Sequence, residues 1–209
     1  MKGKKGLLIA FEGIDGSGKA VQSGLLTEWL KRGGRTVIDY TYPDLRSRYG
    51  DILDEFLKGR IPMDEKTQLL TFAADIMKDQ EQIGKRLARG EIIVMDRYIT
   101  STIAYQCAKG VPMFDALRLV KMLQPIAPDA VVWLDIPPAL GVRRRKNRKG
   151  KRKRDLHDSN LRLLSKVRAN YGKLYAMKWL GRKWARINGK KPIAEIHEEI
   201  RDLITPLMK

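Results

Sequence analysis

Seven residues near the N-terminus have types and spacing suited to chemistry: Gly13, Gly16 and Gly18 punctuate a loop ending in Lys19, in the pattern G-x-x-x-x-G-K. Glycines let successive backbone N–H groups curl around an anion with no Cβ in the way, and the lysine adds a point charge. That is the chemistry of a phosphate-binding loop, or P-loop, cradling a nucleoside triphosphate. The next residue in such loops is a Ser or Thr whose hydroxyl binds Mg²⁺, and here it is Ala20. A second group, Asp96-Arg97-Tyr98, directly follows the apolar run EIIVMD. Strand carboxyl ends are where open α/β sheets place ligands, and a guanidinium makes paired contacts to phosphate oxygens. A third feature is the run RRRKNRKGKRKR from Arg143 to Arg154, ten Lys or Arg in twelve residues. Such charge attracts polyanions, whether nucleotides or nucleic acid.

The elements that must position these groups are legible from periodicity. Leu7 to Phe11 reads as a buried strand leading into the loop, and Val21, Leu25, Leu26, Trp29 and Leu30 recur at helical spacing after it. Further strands are expected over Arg35–Tyr40, EIIVMD, AVVWLDI and WARIN. Helices are expected around Ile52–Leu57, from an Asp64 N-cap through about Ala88, and over Phe114–Leu123. Others should begin near Pro138, run from Leu161 towards Leu180, and span Ile193–Leu203. The helix around Phe114 reads as core or interface, with core preferred. Strands alternating with helices predict an α/β fold with a five-stranded parallel sheet and helices on both faces.

The totals bound the class. At 209 residues the chain fits a single domain, 1–209, with a sizeable core. Net charge is +18, and without the basic run the rest carries +8. One cysteine, Cys107, excludes an intramolecular disulfide, no apolar run approaches the length of a membrane span, and MKGKKG is no signal peptide. The expectation is a cytoplasmic protein without membrane partners.

Several stretches together resemble the thymidylate kinase family of P-loop nucleoside monophosphate kinases. FEGIDGSGK matches that family's P-loop, YPD its segment after the second strand, LLTFAAD its thymine-facing helix, and DRYITSTIAYQ its Asp-Arg-Tyr motif. RDLHDSNLRLLSKVRANY resembles the helix after its lid, so the likeness runs from about Leu7 to Leu203. The resemblance implies the three-layer P-loop NTPase fold with a lid near 143–156. It also implies transfer of the ATP γ-phosphoryl group to dTMP with Mg²⁺, and a homodimer. Gly13, Asp15, Gly16, Ser17, Gly18, Lys19 and Ala20 would then surround ATP. Asp15, Pro43, Asp44, Arg46, Phe72, Arg97, Tyr98, Ser101, Tyr105 and Gln106 would surround the acceptor. In that assignment Phe72 stacks on the base, Ser101 and Gln106 meet its edge, and Tyr105 crowds the sugar. Lys19, Asp15 and Arg97 are implied catalytic groups, with Arg143, Arg148, Arg152 and Arg154 as candidates from the lid. Asp96 orients Arg97, holds a magnesium-bound water, or caps the following helix.

Three positions depart from the family pattern: Ala20 at the hydroxyl, Leu45 where an arginine follows the proline, and Ile76 where an arginine meets the base. They leave open a kinase for another nucleoside monophosphate, or a nucleotide-regulated nucleic-acid binder using the 143–154 run.

Overall fold

The computed structural model describes residues 6–148 and 161–208. Five segments, β1 (Leu7–Glu12), β2 (Val37–Thr41), β3 (Ile92–Asp96), β4 (Ala130–Asp135) and β5 (Trp184–Asn188), pair in parallel in the order β2-β3-β1-β4-β5. Every residue of β1 and β4 is buried, so both read as near-continuous apolar runs.

The two-residue period of β1 divides the core. Leu7, Ile9 and Phe11 pack with Leu26 and Leu30 of α1 (Lys19–Arg32) and with Ile196 and Ile200 of α9 (Ile193–Ile204). Leu8 and Ala10 face the other way. There they meet α3 (Glu65–Met77), α4 (Gln80–Ala88), α5 (Ile99–Lys109), α6 (Met113–Leu123) and α8 (Leu161–Ala176). The result is the expected three-layer α/β architecture. α2 (Arg48–Leu57) packs on α3, and α7 (Pro138–Arg148) on α8. Register aligns Phe11 with Asp96 on one side and Val132 on the other. The loops leaving β1 and β3 therefore emerge side by side.

Local differences from the sequence expectation have identifiable causes. Asp64 does cap α3, accepting from Thr67 N at 2.7 Å, but the helix expected through Ala88 breaks at Lys78-Asp79 into α3 and α4. Asp79 gives its carboxylate to Tyr42 Oη at 2.9 Å and to Lys78 Nζ at 2.8 Å, so tertiary partners hold the break. α8 stops at Ala176 rather than near Leu180, because Lys178 and Leu180 adopt positive φ of 47° and 64°. α5, which periodicity did not delimit, occupies the stretch after Tyr98. In α6 Ala116 and Val120 are core, whereas Phe114 and Met122 are exposed.

Ile200 is fully buried on the α1–α9 face and lines no part of the cavity described below. Ile200→Ala should destabilise by about 2–5 kcal/mol, read as a lower urea midpoint with an unchanged slope, while the folded fraction keeps its ligand affinity.

Candidate active site

The P-loop curls between β1 and α1 as the motif requires. Gly13 and Gly16 have φ of 140° and 79°, and a Cβ on Gly16 would lie 2.4 Å from the carbonyl oxygen of Gly141. Gly18 caps α1 in the left-handed region. Lys19 folds across its own loop, with Nζ donating to the carbonyls of Gly13 at 3.0 Å and Ile14 at 3.1 Å. Burial, reinforced by the Arg97 charge, lowers its pKa to about 8. Ser17 Oγ is buried without a partner among the described residues, and Ala20 faces solvent in the first turn of α1.

Arg97 is the hub of the neighbouring anion site. Its backbone has φ of 71°, unusual for a residue with a side chain, and is held there by N–H donation to Phe11 O at 2.9 Å. The guanidinium donates to Asp15, to Ser101 Oγ at 3.3 Å and to Tyr105 Oη at 3.4 Å. Burial would push the Asp15 carboxyl up, but Arg97, then Lys19 and Arg145, hold it below the usual range. Asp96 ends β3 with Oδ1 buried and unpartnered among the described residues; Tyr98, not Asp96, takes the cap position of α5.

Sequence reasoning did not single out Glu12. Its side chain is fully buried and accepts from Tyr98 N at 3.0 Å, Tyr171 Oη at 2.9 Å, Thr100 and Ser101. Burial raises its pKa against those hydrogen bonds. The available signal was a charged residue closing an otherwise apolar strand.

Beside Arg97 opens a cavity whose polar end is Asp15, Arg97, Ser101 and Tyr105. Its other walls include Pro43, Phe72, Ile76 and the ring of Tyr98. The Tyr98 hydroxyl points away, donating to Gln80 Oε1 at 2.9 Å or Ile126 O at 3.1 Å. Gln106 lies one turn along α5 from Thr102, and both line the cavity together with Lys109, which the sequence did not flag. Asp44 and Arg46 are not among the lining residues. The Asp44 backbone donates to Asp75 Oδ2 at 2.9 Å and its carboxylate lies 3.3 Å from Lys78, whereas Arg46 is exposed, as is Leu45. The Asp44–Asp75–Lys78 set clamps the loop after β2 to α3, which holds Pro43 against the cavity.

Of the basic run, the described residues include only its α7 part. Arg143 is exposed. Gly141 packs its backbone against Asp15 O, and Arg145, four residues on and on the same helical face, adds to the field at Asp15. Arg144 donates to Gly189 O at 2.8 Å, tying α7 to the turn after β5. Arg152, Arg154 and most of the 143–156 lid segment lie outside the described residues, as does the side chain of Arg148.

The loops leaving β1 and β3 thus set Lys19 and Arg97 side by side, and the Arg97 end opens into a largely apolar slot. A fold that seats a triphosphate donor beside an acceptor pocket in this way is that of the P-loop kinases. The thymidylate kinase family profile matches residues 11–200. A probable thymidylate kinase of Pyrococcus abyssi is 32% identical over 206 residues, covering 96% of each chain. A thymidylate kinase of Leptospira borgpetersenii is 32% identical over 206 residues, covering 97% of this chain and 95% of its own. A probable thymidylate kinase of Staphylothermus marinus is 36% identical over 172 residues, 82% of each. The chain belongs to the thymidylate kinase family. No helix among the described residues is long and apolar enough to cross a membrane.

Lys19 gives a pH signature. In the free protein its ammonium loses its proton near pH 8, whereas a bound phosphate favours the charged form. At pH 8.5–9 nucleoside triphosphate binding should therefore take up a proton, seen as a calorimetric enthalpy that varies with the buffer's ionisation heat. Affinity should fall as pH rises through that range. Buffer-independent enthalpy would show that Lys19 is already charged in the free loop. The linked stability term has the opposite slope: the unfolded chain keeps a proton that folded Lys19 releases, so Lys19 favours folding increasingly between about pH 8 and 10.5.

Proposed function

We infer that this protein transfers the γ-phosphoryl group of ATP to dTMP, giving dTDP and ADP. The observation that carries the reading is the continuous cleft in which Arg97, in contact with Asp15 of the P-loop, heads a slot walled by Phe72 and Ile76. An acceptor phosphate at the guanidinium would leave room for a planar base between apolar walls. ATP phosphates lie in the loop of Gly13, Gly16, Ser17 and Gly18 under Lys19. Arg97 takes the acceptor phosphate, and Asp15, held by Arg97, fixes both this cation and the acceptor sugar beside Tyr105. Phosphoryl transfer asks little covalent work of the protein; alignment and charge neutralisation supply the rate.

Mg²⁺ fits the residues present. Among the described residues no three His, Cys, Asp or Glu side chains gather into a metal group, but Mg²⁺ in kinase sites takes one or two carboxylates with phosphates and waters. The unpartnered Asp96 Oδ1, at the strand end beside the P-loop, suits that role directly or through water, and Ala20 contributes no oxygen. The metal would neutralise charge between the β- and γ-phosphates. We place the protein in the cytoplasm as a homodimer, on the family likeness and the exposed Phe114 and Met122 of α6. The nucleic-acid-binding alternative rests on a run half of which lies outside the described residues and is not favoured.

Coupled detection of ADP with ATP, Mg²⁺ and each nucleoside monophosphate in turn tests the reading. Turnover should be strongest with dTMP and should vanish in Lys19→Ala; a stronger response to another acceptor, or activity retained in Lys19→Ala, contradicts it. Among the α7 arginines, Arg145→Ala should lower kcat by about 10²-fold, because its charge acts on Asp15. Exposed Arg143→Ala should leave kcat near that of the parent, and equal losses would argue against a special place for Arg145.

A further inference from the structure

The cavity has a second charged end that the phosphate chemistry does not use. α5 lays Ser101, Thr102, Tyr105, Gln106 and Lys109 along its wall. Those positions share one helical face, which runs ~12 Å from Ser101 to Lys109. Its start lies under the Arg97 guanidinium, and its far end lies beside Gln68 of α3 and Phe56 of α2. A nucleotide with its phosphate at Arg97 must extend its base towards that far end.

Two polar groups wait there. Gln106 is 2% exposed, and its Oε1 has no hydrogen-bond partner among the described residues. A buried amide oxygen in that state is destabilising unless a ligand donates to it. Lys109 is held at the same end by a hydrogen bond to Gln68 Oε1 and by the Phe56 ring, whose centroid is 5.6 Å from Nζ. Burial lowers the Lys109 pKa to about 8, with Glu65 opposing the shift, so the group is an ammonium at neutral pH. An ammonium donates hydrogen bonds and accepts none. Ile76, on the facing helix α3, lines the cavity without bringing a donor.

We propose that Lys109 determines base specificity, donating to a base carbonyl while Gln106 Oε1 accepts from the neighbouring ring N–H, so that the site selects a pyrimidine with an imide edge. This rests on the phosphotransferase reading above. A cytosine-like edge meets both groups the wrong way round: its ring nitrogen turns a lone pair on the Gln106 oxygen, and its amino group turns a donor on the ammonium. Discrimination of this kind comes from mispairing as much as from attraction. One helix thereby orders the acceptor from phosphate to base, with Ser101 at the Arg97 end and Lys109 at the other.

The test is steady-state kinetics at saturating ATP with dTMP, dUMP and dCMP, for the parent, Lys109→Met and Lys109→Arg, alongside equilibrium binding of dTMP. Lys109→Met should raise the KM for dTMP about tenfold, with the effect on KM rather than kcat and none on the KM for ATP. The preference for dTMP over dCMP should shrink by a similar factor, and Lys109→Arg should recover most of it. Unchanged KM and preference in a folded Lys109→Met protein would overturn the proposal. A lowered melting temperature with unchanged KM would do so as well, assigning the lysine to packing between α2, α3 and α5. Should the parent fail to turn over dTMP, the activity reading falls, and binding alone decides: weaker dTMP binding in Lys109→Met supports the base-reading role, and equal binding removes it.

Discussion

A carboxylate sealed from solvent holds this site together. Glu12 ends the central strand with no exposed surface, where an unpaired charge would cost several kcal/mol. It is stable there because the β3–α5 junction and α8 bring Tyr98 N–H, Thr100, Ser101 and Tyr171 to it. Each of those donors is thereby placed as well. The first turn of α5 is fixed against β1, and with it the origin of the helical face that lines the cavity. The phosphate loop, which begins at the next residue, inherits the same frame.

On that frame the site is charged in advance of its ligands. Arg97 sits in a left-handed backbone conformation at the end of β3, between the Asp15 carboxylate and the Tyr105 ring, whose centroid is 5.1 Å from the guanidinium carbon. Such a conformation persists only where surrounding contacts over-determine it. Lys19, nearby, is buried next to that guanidinium and yields its proton more readily as a consequence. Arg97, by contrast, is held charged against burial by its neighbours Tyr105 and Asp15, so two cations are fixed in place in advance of any ligand.

A second ionic knot anchors the opposite flank. Asp135, at the end of β4, accepts from Arg168 of α8 at 2.6 Å and from Arg186 of β5 at 2.6 Å. Burial opposes its ionisation, yet these two guanidiniums hold its carboxyl below the usual range. The knot binds α8 and β5 to the central sheet, and Arg144 ties α7 to the turn after β5. The two helices that border residues 149–160 therefore spring from a fixed base. Gly141 against Asp15 and Gly16 completes the arrangement, since two residues without side chains let α7 approach the loop within contact distance.

The sequence by itself determined the strand–loop–helix of residues 7–32, the parallel sheet, and Lys19 and Arg97 as residues of interest. Each is written locally, in glycine spacing, in apolar runs of strand length, or in a motif lying at a strand end. It also located Asp64 as a cap, since a cap answers to backbone groups three residues away. Tertiary structure alone decided matters that depend on which faces meet. Periodicity carried one helix through Lys78-Asp79, and the Tyr42 hydroxyl from another part of the chain marks its break. The run offered Arg143, Arg148, Arg152 and Arg154 with nothing to choose among them, and the packing of Gly141 on the P-loop brought the charge of Arg145 into the field at Asp15. Glu12 and Lys109 were ordinary charged residues in the sequence, and became a buried anchor and a pocket cation because partners 41 to 159 positions away and a cavity formed around them.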